Sequence, residues 1–301
     1  MSHDHDHHHA PTNYGKAFAI GISLNLAFVL IEAFYGWQAG SLALLADAAH
    51  NLSDVGGLLL AWAAFAAARL KSNARHTYGW RRGSILASFT NAIILLVAMG
   101  SLAWEAVHRF QTPASVDAAT VMVVAGVGVV INSVTAWLFL AGSKGDLNIR
   151  GAFLHMAADA LVSVGVVVAG ALYLWQGWAW IDPVVSLLIA LVVVLGTLSL
   201  FRRSLHLLFD GVPDGIELSQ VRQCLLDIDG VIDVHDLHVW AMSTAENALT
   251  AHLVVATDTA DRDVILQLAL DELHKRFELR HVSLQIESQT FSNHCPLNKT
   301  C

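Results

Sequence analysis

Ser41-Leu-Ala-Leu-Leu-Ala-Asp-Ala-Ala-His-Asn-Leu-Ser-Asp54 sets an imidazole and two carboxyls inside an apolar run that continues to Ala68. Residues four apart on a helix share a face, so His50 and Asp54 offer one nitrogen and one oxygen to a common point. The same pair recurs at His155 and Asp159 in a second apolar run. Ionisable groups at bilayer depth cost about 2.5–3.5 kcal/mol each and mark ion or substrate paths. If the two helices face each other, the four side chains make an N2O2 set suited to tetrahedral Zn2+.

Composition supports a membrane setting for both runs. Of the 301 residues, 55% are hydrophobic and only 14% charged, with mean hydropathy +0.54. An ordinary soluble domain carries about 25% charged residues. The net charge of −8 argues against a nucleic-acid partner, which selects a basic face. Residues 1–15 are rich in His and Asp rather than basic, and the first apolar run is too long for a signal-peptide core, so no cleavable signal is expected. The three cysteines, Cys224, Cys295 and Cys301, all fall in the polar C-terminal part. So few suggest no disulfide framework, and a reducing cytosol suits that part.

Runs of spanning length fall near 17–37, 42–68, 84–108, 118–142, 147–174 and 181–201. A bundle of six transmembrane helices is expected over 16–207. The second connection carries Arg69, Lys71, Arg75, Arg81 and Arg82; the fourth carries Lys144 and Arg150; Arg202 and Arg203 follow the sixth run. The first and fifth connections have no Lys or Arg, and the third has only Arg109. The positive-inside rule then puts both termini in the cytoplasm. At 1.5 Å per residue, Asp54 lies about 21 Å and His155 about 12 Å from the cytoplasmic helix ends. The pairs can therefore meet inside the bilayer. Each falls on the second helix of a three-helix half, a pattern that fits inverted repeats.

The remainder changes character. Leu218, Val221 and Leu225 follow a helical period, and Val231 to Trp240 reads as a strand. Ala251 to Val255 reads as a second strand, 261–277 as an amphipathic helix and Val282 to Ile286 as a third strand. The expectation is a small cytosolic α+β domain of order α-β-β-α-β over 208–288, with a tail over 289–301. His235 and His238 are three apart, so on a regular strand they face opposite ways, with His238 the outward one. His206 and His274 read as solvated helix residues. The tract His3, His5, His7, His8 and His9 over 1–15 can capture metal, and Asp4 and Asp6 between them argue against an expression tag. Cys295 and Cys301 offer soft ligands in the tail, where a site shared with the N-terminal histidines is conceivable.

For one His-x-x-x-Asp pair alone, interhelical hydrogen bonding is the plainer role; repetition of the spacing on a separate helix favours a metal. Asp47, one turn before His50, is a candidate proton relay or orienting acceptor. Glu32 is a further membrane acid, and Asn25, Asn91 and Asn132 read as helix-contact residues. Metal arrival at imidazole and carboxylate expels protons, so these ligands would link Zn2+ export to H+ entry. No GxxxxGK[ST] loop is present, in agreement with an ATP-independent process. A metalloenzyme would want three ligands, an open position and a general base, which four matched ligands disfavour. A membrane metal sensor is the remaining alternative.

At these residues the chain resembles the cation diffusion facilitator family, in its zinc-exporting branch. The resemblance covers nearly the whole chain: Ser41 to Asp54, His155-Met-Ala-Ala-Asp159, Tyr78-Gly-Trp-Arg-Arg82, Ile181-Asp-Pro-Val184, His235-Asp-Leu-His-Val-Trp240 and Val282-Ser-Leu-Gln-Ile-Glu287. It implies a homodimer, joined through its transmembrane and metallochaperone-like cytosolic domains, that exchanges Zn2+ for H+ by alternating access and is not an enzyme. His50, Asp54, His155 and Asp159 match the family's transport site. His at position 50 resembles members that prefer zinc to cadmium, with Cd2+, Co2+ or Ni2+ as the broader alternative. His235, His252 and Glu287, with His281, match the family's cytosolic zinc ligands, and Gln285 stands where some members carry histidine. His76, with Trp80 nearby, departs from the family's site between helices two and three. The short 142–151 connection, without a His-rich loop, favours a bacterial inner membrane.

Overall fold

The computed structural model describes residues 14–68, 72–140, 147–256 and 261–292. Six long helices come first: α1 (Tyr14–Gln38), α2 (Leu42–Ala68), α3 (Gly83–Arg109), α4 (Ala118–Leu140), α5 (Leu147–Gln176) and α6 (Ile181–Leu208). Then follow α7 (Leu218–Leu226), β1 (Val231–Ala241), β2 (Asn247–Val255), α8 (Arg262–Phe277), β3 (His281–Ser288) and a short α9 (Gln289–Ser292). Among the described residues, α3, α4, α6 and the Phe153–Gln176 part of α5 are long and apolar enough to cross a membrane. The stretch Leu26–Gln38 of α1 is apolar but shorter.

Side-chain exposure agrees with a lipid solvent. Ile94, Val97, Val123, Val130, Leu161 and Val192 are all more than half exposed. Soluble proteins seldom display apolar surface of that extent. Trp37, Trp104 and Trp175 are exposed near the C-terminal ends of α1, α3 and α5. Alternating helices bring those ends to one membrane side, where tryptophan favours the interface.

The chain divides into two compact units. One holds the described residues up to Leu58 with Asn91–Leu198, the other Leu59–Thr90 with the described residues from Ser199 onward. The first unit's core sets the small residues Ala39, Ala43, Ala46, Ala125 and Ala190 among larger ones such as Phe28, Leu44, Met99 and Val166. Small residues let helices approach closely in lipid. A Cβ at Gly128 would stand 2.9 Å from the Phe28 ring and 3.2 Å from Ser163 Oγ, so this glycine sets how closely α4 approaches α1 and α5.

A polar clasp fixes the start of α2. Asp182, in the first turn of α6, accepts from Ser41 Oγ at 2.6 Å, Leu42 N at 3.0 Å and Ala43 N at 3.4 Å. Ser41 itself caps the helix by accepting from Leu44 N at 3.3 Å. Arg109 donates to Gly40 O at 2.5 Å and stands 3.5 Å from Asp182. Gly40 has φ +65°, the left-handed turn that brings α1 back into α2. Asp117 caps α4 through Thr120, whose hydroxyl and N–H hold its carboxyl below the usual range.

In the second unit, β1 pairs antiparallel with β2, and β2 pairs parallel with β3, in the order β1-β2-β3. A parallel pair needs a crossover, and α8 supplies it. Asp261 caps α8 by accepting from Asp263 N and Val264 N. Val221, Leu225, Val239, Leu249, Leu253, Ile265 and Leu273 form the core. In the same unit Arg81 pairs with Glu246 at 2.8 Å, Arg82 pairs with Asp210, and Ser84 Oγ accepts from Thr244 N at 3.1 Å. The β1–β2 hairpin is thereby tied to the residues that open α3.

Two expectations need correction. The sixth helix runs on to Leu208 rather than stopping near 201, because Arg202 and Arg203 mark where lipid ends, and helical hydrogen bonding does not require lipid. His206, read as solvated, is exposed but engages Val212 O at 3.0 Å across the turn that follows. The segment read as tail begins with a helical turn over Gln289–Ser292, in which Ser292 is buried. The histidine tract at 3–9, Cys295 and Cys301 lie outside the described residues.

Replacing Asp182 by alanine should remove a buried charged acceptor and leave Ser41 and two α2 amides without it. Hydrogen bonds to a charged group contribute about 1.5–3 kcal/mol each. A loss of about 3 kcal/mol is expected, read as a lowered thermal midpoint in detergent, with Asp182→Asn intermediate. Cys224 is buried, and burial pushes its thiol up despite nearby Arg276. With Cys295 and Cys301 changed to serine, iodoacetamide at pH 7.5 should label Cys224 only after denaturation.

Candidate metal centre

His50 and Asp54 lie on successive turns of α2, and His155 and Asp159 on successive turns of α5. The helices bring them together. His155 Nε2 is 2.9 Å from Asp54 Oδ2 and 3.6 Å from Asp159 Oδ2. His50 Nε2 is 3.6 Å from Asp54 Oδ2 and 3.7 Å from Asp159 Oδ1. The imidazoles meet edge to face with centroids 5.6 Å apart. Each nitrogen therefore neighbours both carboxylates.

Those spacings can be tested against a metal. Zinc–ligand bonds of about 2.0–2.1 Å in a tetrahedron separate the ligand atoms by roughly 3.3–3.4 Å. The four nitrogen–oxygen separations bracket that value, and His50, His155 and Asp159 hold ligand atoms all within 4.8 Å of one another, a group that Asp54 does not join. Asp159 Oδ2 and His50 Nδ1 are buried without a hydrogen-bond partner among the described residues. A dry carboxylate oxygen lacking a donor is costly unless a cation serves it. Asp159 is nearly enclosed, its side chain 4% exposed, whereas Asp54 and His155 are 38% and 40% exposed. The cluster thus has a closed side and an open side.

Protons and metal compete for part of this geometry. With the Asp54 carboxylate accepting, His155 Nε2 must donate at 2.9 Å. Metal binding at that nitrogen displaces this proton, so proton and metal compete for one atom.

Asp47 does not join the four. It is buried and accepts from Ser163 Oγ on α5 at 3.2 Å. Glu32 of α1 is wholly buried beside Asp47 and Asn51. Sequence reasoning missed Ser163, although its position one turn beyond Asp159 was the available signal. Asn91 does serve as helix contact, donating to Ser53 Oγ at 3.1 Å. Asn132 is buried, but its amide nitrogen has no partner among the described residues. The side chain of Asn25 lies outside the described residues.

The second unit holds another group. His235 and His252 are register partners on β1 and β2, with ring centroids 5.0 Å apart. His252 Nδ1 lies 3.3 Å from His235 Nε2 and 3.0 Å from Glu287 Oε1, while His235 Nε2 is 3.5 Å from Glu287 Oε2. Ligand atoms of all three fall within 4.8 Å of one another. Gln285 donates to Glu287 Oε1 at 2.7 Å, and Glu287 Oε2 is buried without a partner. One carboxylate oxygen thus accepts from Gln285, and the other faces His235 without a hydrogen bond.

His281 is a correction. It is exposed, paired in register with Ala248, and its ring meets Tyr78 at 5.3 Å. Six residues of strand separate it from Glu287, about 20 Å at the usual rise, so it cannot reach the group. His238 is exposed, but the register shift after His235 sets it opposite Thr250, two residues from His252. His235 and His238 therefore share a face rather than opposing one another as regular spacing implied. His76 stacks on Trp80 with centroids 4.5 Å apart.

The model for the cation efflux transmembrane domain matches residues 18–209, and that for the cation efflux protein cytoplasmic domain matches 213–289. The chain belongs to the cation efflux family. Membership makes it a multi-pass membrane transporter of metal cations rather than an enzyme. The cadmium, cobalt and zinc/H(+)-K(+) antiporter of Bacillus subtilis is 33% identical over 292 residues, 95% of this chain and 93% of that protein. The zinc transporter ZitB of Escherichia coli is 35% identical over 294 residues, 96% and 93% of the two chains. The metal cation efflux system protein CzcD of Cupriavidus metallidurans is 34% identical over 285 residues, 95% and 89%.

Cobalt reports ligand geometry directly. Co2+ added to the full-length protein with the cytosolic group disabled by His252→Ala should give the strong visible bands of a tetrahedral site. Asp54→Ala should weaken those bands or convert them to the faint octahedral pattern.

Proposed function

We propose that this family member exports Zn2+ from the cytoplasm in exchange for protons, binding the ion with His50, Asp54, His155 and Asp159. One observation carries the reading: two imidazole nitrogens each stand 2.9–3.7 Å from carboxylates of two separate helices, with a buried carboxylate oxygen that has no hydrogen-bond partner among the described residues. Such a set binds zinc, and its ligands must shed protons to do so. A site alternately open to each side would load where protons are scarce and unload where they are plentiful. Asp47, with Glu32 beside it, is the proposed route for protons. The B. subtilis relative, named a cadmium, cobalt and zinc/H(+)-K(+) antiporter, supports antiport, and the cadmium and cobalt in its name favour a broader metal range as the second reading.

In this reading both termini face the cytoplasm of a bacterial inner membrane, as the basic residues of the even connections dictate. His235, His252 and Glu287 bind zinc in the cytosolic domain, where two copies of the chain associate.

Purified protein in liposomes with an imposed pH gradient should accumulate zinc against its own gradient, and dissipating the pH gradient should stop it. Asp159→Ala should slow accumulation by at least tenfold, since losing even a residue that supports a metal ligand costs about 10–100-fold. Wild-type accumulation by that variant would overturn the site assignment. Competition by Cd2+ and Co2+ in the same assay measures the metal range.

A further inference from the structure

Asp236 sits where a regular strand would aim it away from the cytosolic metal group. Neighbouring strand residues point to opposite faces, so the residue after buried His235 should face the other way. The pairing of β1 with β2 is irregular between His235 and His238, and Asp236 has φ +50°. Asp and Asn are among the few side chains that tolerate that conformation. Its consequence is specific: Asp236 Oδ2 lies 3.5 Å from His252 Nε2, and Asp236 Oδ1 lies 2.9 Å from His238 Nε2. The carboxylate is 16% exposed.

The two nitrogens of His252 therefore face different partners. Nδ1 looks into the group formed with His235 and Glu287, and Nε2 looks at Asp236. An imidazole that binds metal through one nitrogen carries its proton on the other, and a carboxylate acceptor there fixes both tautomer and ring orientation. His235 lacks such support, since its Nδ1 is buried without a partner among the described residues.

We infer that Asp236 is a positioning residue that locks His252 in the tautomer presenting Nδ1 to a divalent cation, and that the β1 bulge exists to deliver its carboxylate. The inference rests on the reading of His235, His252 and Glu287 as a zinc site. It gives the irregular strand a chemical purpose and makes zinc affinity depend on a residue that does not touch the ion.

The test uses full-length protein in detergent carrying Asp159→Ala, with His3, His5, His7, His8 and His9 changed to alanine and Cys295 and Cys301 to serine, so that zinc reports the cytosolic group, titrated with Zn2+ against a chromogenic chelator. Asp236→Gly keeps the left-handed backbone available while removing the acceptor, and should weaken zinc by about 10–100-fold. Asp236→Asn retains an acceptor oxygen and tolerance of the turn, and should stay within about threefold of the parent. Nitrogen-15 histidine spectra of the zinc-loaded parent should show His252 bound through Nδ1 with a proton on Nε2, a signature lost in Asp236→Gly. His238→Ala should leave the affinity near that of the parent. The inference is overturned if Asp236→Gly binds as the parent does while His252→Ala abolishes binding, or if His238→Ala costs as much as Asp236→Gly. If His252→Ala and Glu287→Ala also bind as the parent does, the cytosolic zinc site falls as well.

Discussion

Gathering two imidazoles and two carboxylates inside a bundle of apolar helices is the constraint around which the membrane unit is arranged. Each group would be costly alone in lipid. Together they offset part of that cost, as the His155 to Asp54 contact between α5 and α2 shows. A pairing across two helices also fixes their mutual rotation, since a turn of either by one residue would carry a ligand about 100° away from its partners. The small residues of the core serve that arrangement by letting the backbones approach.

Polar side chains recur along α2 at nearly every turn: Ser41, Asp47, His50 and Asn51, and Asp54. Together they meet three helices. Ser41 is held by Asp182 of α6, Asp47 by Ser163 of α5, and Asp54 by His155 of α5, while Asn51 lies near Glu32 of α1. The clasp at Asp182 fixes the first turn, and the ligands at 50 and 54 follow about two and a half and three and a half turns after Ser41 on the same helix.

The cytosolic group is built on the opposite principle. Its ligands come from three strands, where register rather than helical spacing sets their separation. His235 opposite His252, and Glu287 one strand further, converge because the sheet places them there. The β1–β2 register shifts between Val231 and Asp233 and again between His235 and His238, and the second shift turns Asp236 toward the ligands.

The fold was unusually legible, because lipid demands long apolar helices with every backbone group satisfied internally. Helix ends were readable to within a few residues except where α6 continues past its arginines. The four membrane ligands were legible for a related reason: ionisable groups stand out against an apolar background, and i, i+4 spacing specifies a shared face. The cytosolic ligands were less so. Histidines on a polar domain carry no such contrast, and the resemblance that suggested His235, His252 and Glu287 also suggested His281, which the strand length removes.

Sequence by itself determined the spans, the domain order and which residues could share a helical face, because those depend on local period and transfer energy. Only the tertiary structure decided which faces meet. The pairing of Asp54 with His155, the enclosure of Asp159, the contact of Asp47 with Ser163 and the turn of Asp236 toward His252 are all long-range or backbone-specific. Helix packing and strand register set them, and neither is written in the spacing of any single segment.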